Sequence, residues 1–218
     1  MKHDPIMGTR PARAFVLFRS GGRLDLLKPR FDCWTDEDLA LNLARISRWG
    51  GASRWHEPLS VAQHSLLVLR IREMDEVLTA REALRELLHD ASEGLLGRDP
   101  IGPLKPHLGE PFLKLDQRLQ ALLGERYALP AWDAAAYRRQ KAADRLAAAS
   151  EACHVVGWSR EDMHDALGIL CEPLKDEPLQ VPGLEPWEPW PPRLAESMFL
   201  HRLHDLQAKA ALHESAEP

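Results

Sequence analysis

Apolar residues recur at helical spacing along most of this chain, and glycine or proline separates the segments that carry the pattern. Such spacing predicts amphipathic helices, because every third or fourth residue returns to the same helix face. The predicted helices cover residues 36–49, 60–74, 81–96, 110–123, 132–155, 160–171 and 193–212. Residues 14–28 differ, because two short apolar runs flank Ser20-Gly21-Gly22, as in a β-hairpin. The sequence therefore predicts an all-α fold with a possible small N-terminal β-hairpin.

The length of 218 residues suits a single domain spanning residues 1–218. Within it, residues 1–34 would form the N-terminal hairpin extension. Residues 172–218 would form a proline-rich irregular strap followed by the C-terminal helix. No internal boundary in the sequence argues for a second domain.

Composition narrows the classes of partner. A net charge of −5 argues against a nucleic acid polymer, which normally binds a clustered basic face. The three cysteines, Cys33, Cys153 and Cys171, are widely spaced and predict neither a disulfide framework nor a thiolate zinc site. The first 18 residues lack the apolar stretch typical of a signal peptide, and no run approaches the roughly 20 apolar residues of a membrane span. We therefore expect a cytoplasmic protein with no membrane partner and a small-molecule ligand.

The adjacent pair His89-Asp90 lies in the predicted helix 81–96, within the sequence LLHDASEGLLG. Burying an imidazole and a carboxylate together is costly unless something compensates them, and a metal ion is one candidate. Asp90 could instead belong to a solvated acidic stripe, whose other members at helical spacing would be Glu82, Glu86 and Glu93. The pair alone does not decide between these interpretations.

Two further residues could complete a metal site. His64 lies on an apolar helix face, where a hydrogen-bonded core histidine is the simpler interpretation. Asp144 is followed by Ala147 and Ala148, so other helices can approach it closely, although an ion pair with lysine or arginine is as good an explanation. Two imidazoles and two carboxylates together suit manganese, cobalt, iron, nickel or zinc. Glu93, one turn after His89, could then act as a general acid or base.

The order H…HD…D resembles the HD superfamily of metal-dependent phosphohydrolases. The motifs are S-V-A-Q-H-S around His64, H-D-A-S-E from His89, and K-A-A-D-R-L-A-A around Asp144. The chain is most similar to bacterial 5′-deoxynucleotidases and to related short HD phosphohydrolases, including phage enzymes that dephosphorylate deoxyadenosine nucleotides. The likeness covers most of the chain and implies an HD-domain helical bundle.

The resemblance also implies roles for individual residues. One divalent metal ion would be bound by His64, His89, Asp90 and Asp144. Glu93 would activate or orient the attacking water, Arg48 would bind the substrate phosphate, and Lys105 would lie near it. Trp49 would pack on the sugar and disfavour a 2′-hydroxyl. The simpler alternatives are an ordinary helix end at Arg48-Trp49, with a core tryptophan, and a solvated loop lysine at Lys105.

The chain departs from the family pattern at two places. The family often has an aspartate directly after the glycine that follows H-D-A-S-E, where it contacts the sugar; here that acid is Asp99, one residue late. Either the loop shifts to restore the contact or sugar recognition has changed. Ala52 stands where relatives tend to have a histidine, and His56 either compensates from nearby or is a surface residue.

The resemblance predicts hydrolysis of a nucleotide phosphate ester, with a deoxynucleoside 5′-monophosphate as the leading substrate and a homodimer as the default assembly. Three alternatives stay open. The same metal site could serve a triphosphohydrolase or pyrophosphohydrolase, or the chain could be a catalytically silent nucleotide-binding module. A purely structural metal site is weaker, because such sites are usually closed tetrahedral shells and often contain thiolates.

Overall fold

A computed structural model of the chain describes residues 13–216, with side chains described to residue 213. The fold is mostly helical, with 59% helix and 4% strand, which confirms the predicted class. The strands are β1 (Phe15–Leu17) and β2 (Arg23–Asp25), and the α-helices are α1 (Asp36–Arg45), α2 (Val61–Asp75), α3 (Ala80–Leu87), α4 (Ala91–Leu96), α5 (Glu110–Arg126), α6 (Ala134–Glu151), α7 (Arg160–Leu167) and α8 (Pro192–Ala216). The division into one domain stays a prediction, and residues 1–12 and 217–218 of it lie outside the described part.

The predicted hairpin is present. Strands β1 and β2 pair antiparallel, with Val16 opposite Leu24. Gly21, at the turn, has a φ of 91°, a backbone conformation that glycine adopts without strain. Leu24 is fully buried and joins the main hydrophobic core, so the hairpin is anchored to the helical body through one face of β2.

Helix α2 lies at the centre of the helical body. It packs against α1, α3, α6 and α8, while α8 also covers α1 and α3. Every residue from Val61 to Leu69 is buried, so α2 has no solvated face along that stretch. His64 lies in this stretch and is fully buried. Its polar atoms must therefore find their partners inside the protein.

The first predicted helix is shorter than expected. Helix α1 ends at Arg45, and Ser47 then pairs with Ser60 in an isolated β-bridge. Trp49 and the two glycines after it have positive φ angles of 56°, 62° and 83°, which a right-handed helix cannot contain. Arg48 is therefore an extended residue beyond the helix, and Trp49 begins the tight turn Trp49–Gly51 that follows it, so the interpretation of the two residues as a helix end is wrong.

The predicted helix 81–96 is broken at its most informative residues. Helix α3 ends at Leu87 and α4 begins at Ala91, so His89 and Asp90 lie in the turn between two short helices. The predicted helix 132–155 is α6 followed by a π-helical turn at Ala152–Val156. Among residues 13–216, no helix is long and apolar enough to cross a membrane.

Glycine at position 94 allows α4 to approach α1 closely. A β-carbon built there would lie 2.9 Å from Leu43 Cγ and 3.0 Å from Leu39 Cδ1. We expect Gly94→Ala to lower the free energy of unfolding by about 1–3 kcal/mol through overpacking. Gly124→Ala is the matched control, because its β-carbon would meet nothing within 4 Å in α5. That control should stabilise by about 0.5–1 kcal/mol, and equal effects of the two in urea unfolding would contradict the close packing.

Candidate metal centre

The structure brings the four predicted metal ligands together. His64 comes from α2, His89 and Asp90 from the turn between α3 and α4, and Asp144 from α6. One ligand atom from each residue lies within 4.8 Å of those of the other three. The arrangement joins three distant segments of the chain into one cluster that could hold a metal ion.

Both imidazoles are oriented by hydrogen bonds at Nδ1. His64 Nδ1 lies 2.6 Å from Glu151 Oε1, and His89 Nδ1 lies 2.8 Å from the carbonyl oxygen of Glu86. Each Nε2 atom is buried and has no hydrogen-bond partner. A metal-ligating histidine shows this pattern, in which one nitrogen is held by the protein and the other faces the ion. The residues therefore fit a divalent metal by their donor types and by their two orphaned nitrogens.

The two carboxylates face those nitrogens. Asp90 Oδ2 lies 3.3 Å from His89 Nε2 and 3.5 Å from His64 Nε2, while Asp144 Oδ1 lies 3.4 Å from His64 Nε2. The other Asp144 oxygen accepts a hydrogen bond from Lys141 at 3.0 Å. The ion pair considered for Asp144 is thus present, but it leaves Oδ1 directed into the cluster.

Electrostatics keep Asp144 ionised. Burial acts to raise the pKa of Asp144, but the neighbouring imidazoles of His64 and His89 outweigh it and hold that pKa well below its usual value. An ionised carboxylate is the form that binds a cation.

Glu151, which the sequence analysis missed, holds three site residues at once. Its Oε1 accepts from His64, while Oε2 accepts from Arg48 Nε and from Trp49 Nε1, both at 3.0 Å. Burial opposes ionisation, but the adjacent Arg48 and His64 lower the pKa of Glu151 to about 2. The available signal was its place on α6, seven residues and about two helical turns after Asp144 on the same face.

Arg48 is directed at the cluster. Its Nη1 atom lies 3.5 Å from Asp99 Oδ2 and 3.7 Å from Asp90 Oδ2. The Nε atom of Arg48 donates to Glu151, whereas its Nη donors make no direct hydrogen bond within the described residues. The Asp99 side chain is only 8% exposed, so the acid that follows the motif one residue late still reaches the site.

Half-buried Lys105 and buried Glu93 form an ion pair beside the cluster. Lys105 Nζ donates to Glu93 Oε1 at 2.7 Å, which replaces the solvated-lysine interpretation. Glu93 Oε2 is buried without a hydrogen-bond partner. Burial and then the nearby Asp90 and Asp99 raise the pKa of Glu93 to about 9, although Lys105 opposes the shift.

The solvated acidic stripe considered for Asp90 is wrong. Glu86 is fully buried and Glu93 is 2% exposed, so these acids face the interior. The break between α3 and α4 turns this stretch of chain inward, which helical spacing alone does not show.

A cavity of about 930 Å³ opens beside the cluster. Its walls include the predicted site residues Arg48, Trp49, Asp90, Asp99, Lys105 and Asp144. Lys141 and Arg145 of α6 add two more cations to the lining. His56 does not belong to the lining, and its side chain is 96% exposed, so it is a surface residue that does not replace the family histidine.

Comparison with known proteins gives one informative relative. No family model matches the chain. An uncharacterized protein of Rhodobacter capsulatus is 38% identical over 174 residues, which cover 79% of this chain and 85% of that protein. The two chains belong to one family.

The site therefore contains all the residues that the sequence analysis assigned to metal binding, catalysis or substrate binding, whereas His56 lies outside it. The four ligands, Arg48, Trp49, Asp99 and Lys105 surround the cluster or its cavity, whereas Glu93 lies behind Lys105, outside the cavity lining. A buried His/Asp cluster on a helical body is compatible with an HD-type metal site.

Proposed function

We propose that the chain is an HD-type metal-dependent phosphohydrolase that removes phosphate from deoxynucleoside 5′-monophosphates. The observation that carries the proposal is the pair of orphaned Nε2 atoms of His64 and His89, which meet two carboxylates beside a cavity lined by cations. The resemblance of the H…HD…D motifs to HD phosphohydrolases supports the same chemistry.

One divalent ion, bound by His64, His89, Asp90 and Asp144, would supply a Lewis acid that activates water and polarises a phosphoryl oxygen. The mixed nitrogen and oxygen donors suit manganese, cobalt, iron, nickel or zinc. A structural thiolate site has no support here, because none of the three cysteines belongs to the cluster.

Arg48 and Lys105 would neutralise the phosphate. The Nε atom of Arg48 is held by Glu151, which fixes the guanidinium plane and leaves the Nη donors for phosphoryl oxygens. Phosphoryl transfer depends mainly on positioning and on stabilising charge, so two preorganised cations can supply much of the rate.

Glu93 and Trp49 have supporting roles in this proposal. Glu93 would act as the general acid or base, as the resemblance implies; it lies outside the cavity lining but retains one buried carboxylate oxygen without a partner and is hydrogen-bonded to Lys105, which lines the cavity. Trp49 lines the cavity with its indole fixed by Glu151, and Asp99 lies beside Arg48. These two would contact the sugar, as the resemblance implies.

A triphosphohydrolase is the second candidate, and one observation favours it. Lys141 and Arg145 line the same cavity as Arg48 and Lys105, so cationic side chains extend beyond those needed for a single phosphate. Additional phosphates of a nucleoside triphosphate would find opposite charge there.

A substrate and metal screen tests the proposal. The purified protein is incubated with dAMP or dATP in the presence of Mn²⁺, Co²⁺, Zn²⁺ or Mg²⁺, and the products are identified. We expect orthophosphate and deoxyadenosine from dAMP. Tripolyphosphate from dATP would instead establish the triphosphohydrolase, and nucleotide binding without turnover under any metal would indicate a silent module.

Glu93→Gln should separate proton transfer from metal binding. We expect kcat to fall by about 10²-fold or more, the usual contribution of a general acid or base, with metal content unchanged. Glu110→Gln is the control, because Glu110 forms an exposed ion pair with Lys114 at the same 2.7 Å as Glu93 with Lys105. Wild-type kcat in Glu93→Gln would remove Glu93 from the mechanism.

A further inference from the structure

Two exposed aliphatic side chains line the cavity from separate loops. Leu170 is 71% exposed and follows α7, and Ile101 is 47% exposed and precedes the 3₁₀ turn Gly102–Leu108. Single exposed leucines are ordinary on a protein surface. These two differ because both belong to the lining of the same cavity as the metal-site carboxylates.

The segment that carries Leu170 is held on both sides. Ile169 donates its backbone N–H to the Met163 carbonyl at 3.0 Å, and the Cys171 carbonyl accepts from Arg160 at 2.9 Å. Leu167, Ile169 and Cys171 also pack on a small buried cluster of Ala149, Ala152 and Met163. Leu170 is therefore fixed in its exposed position by its anchored neighbours.

The same buried cluster supports Trp49, which extends the apolar surface towards Arg48. Trp49 packs on Ala149, Ala152 and Met163 with Leu167 and Ile169, and all three of these larger side chains line the cavity. We call Trp49, Leu167, Ile169 and Leu170 the apolar wall. The apolar wall meets the charged part of the cavity at Trp49. The Trp49 indole N–H and the Arg48 side chain both donate a hydrogen bond to the Glu151 carboxylate.

A cavity with one charged part and one apolar part suits an amphipathic ligand. The charged part of the lining suits a phosphate, whereas the apolar wall and Ile101 suit a group that gains from leaving water. A cavity of about 930 Å³ is large enough for a whole small molecule rather than a phosphate alone. In a nucleotide, the base offers flat apolar faces and is joined to the phosphate through the sugar.

We propose that Leu170, with Ile101, forms the nucleobase subsite and that Leu170 determines how strongly nucleotides are preferred over phosphate esters without a base. The inference rests on the proposed function for the identity of the ligand. It assigns a specificity-determining role to a segment outside every motif quoted from the sequence.

Leu170→Ser tests the inference, and Leu212→Ser is a closely matched control because both leucines are 71% exposed and only Leu170 lines the cavity. The readouts are KM for dAMP, kcat/KM for glycerol 3-phosphate, and calorimetric binding of dAMP to each protein. We expect Leu170→Ser to raise KM and Kd for dAMP about 5- to 10-fold, from the loss of one apolar contact. Glycerol 3-phosphate turnover by Leu170→Ser, and all three readouts in the control, should not change. Ile101→Ser should act in the same direction as Leu170→Ser.

Each outcome has a distinct meaning. Unchanged dAMP binding in Leu170→Ser, or an equal loss with glycerol 3-phosphate, overturns the base subsite while the hydrolase proposal stands. Turnover of glycerol 3-phosphate with no dAMP binding to the wild-type protein also overturns it. If no phosphate ester is hydrolysed but Leu170→Ser still weakens dAMP binding, the subsite is supported and the proposed catalysis fails.

Discussion

Replacing Asp144 with asparagine is expected to remove the bound metal ion and to abolish phosphate release. The Oδ1 atom of Asp144 faces His64 Nε2 at 3.4 Å, and the carboxylate supplies one of the two negative charges in the cluster. Asparagine keeps the shape but loses the charge that a divalent cation requires. Metal content after purification and phosphate release from dAMP measure the two effects.

A second aspartate on the same helix provides the control. Asp133 caps the N-terminus of α6 and accepts hydrogen bonds from the N–H groups of Ala135 and Ala136. Asparagine is an equally good capping residue, so Asp133→Asn should keep wild-type stability, metal and activity. Wild-type metal content in Asp144→Asn would show that the ligand assignment is incorrect.

Replacing Glu151 with glutamine is expected to weaken the site without removing any metal ligand. The carboxylate accepts from His64, Arg48 and Trp49, whereas a glutamine side chain has one acceptor oxygen and places an amide donor against the remaining N–H groups. Loss of a partner that orients a ligating histidine typically lowers metal affinity about 10- to 100-fold. Calorimetric titration with Mn²⁺ or Zn²⁺ measures this directly.

The same variant should also be less stable. Arg48 would lose the nearest of the carboxylates that compensate its charge, while Asp99 and Asp90 remain within 3.7 Å. We therefore expect a loss of stability below the about 3–5 kcal/mol that follows when a buried charge is left without any partner. Glu177→Gln is the matched control, because Glu177 is also buried but, among the described residues, accepts only the backbone N–H of Trp187, which a glutamine oxygen can accept equally well. Equal urea midpoints and metal affinities for the two variants would mean that Glu151 does not position the site.

Helical periodicity predicted the fold class because burial of one helix face leaves a regular pattern of apolar residues. It failed at His89, where the side chain competes with the backbone. The Nδ1 atom of His89 is hydrogen-bonded to the carbonyl oxygen of Glu86. In a continuous helix, that oxygen would accept a hydrogen bond from the backbone N–H of Asp90. The hydrogen bond from the His89 side chain to the Glu86 carbonyl thus accompanies the end of α3. The spacing of apolar residues does not reveal a hydrogen bond of this kind.

The candidate site shows a similar division. The sequence was sufficient to identify the four candidate metal ligands, because their residue types and the order of their motifs can be read directly from it. These candidate ligands are His64, His89, Asp90 and Asp144. Glu151 was missed, since a glutamate in an alanine-rich helix usually lies on the exposed face, and only the fold shows that this one is buried against His64, Arg48 and Trp49. Asp99 likewise required the actual path of the loop, which brings its carboxylate to Arg48 despite the extra residue.

The hydrogen bond between His64 and Glu151 joins residues 87 positions apart in the chain. Closing so large a loop has an entropic penalty that only the packed helical body can offset. The complete ligand set therefore forms only in the native topology, and unfolded chains cannot offer it. By linkage, a metal present at about 100 times its Kd would stabilise the native state by about 2.7 kcal/mol. Metal availability would thus control how much folded protein persists as well as how fast it works.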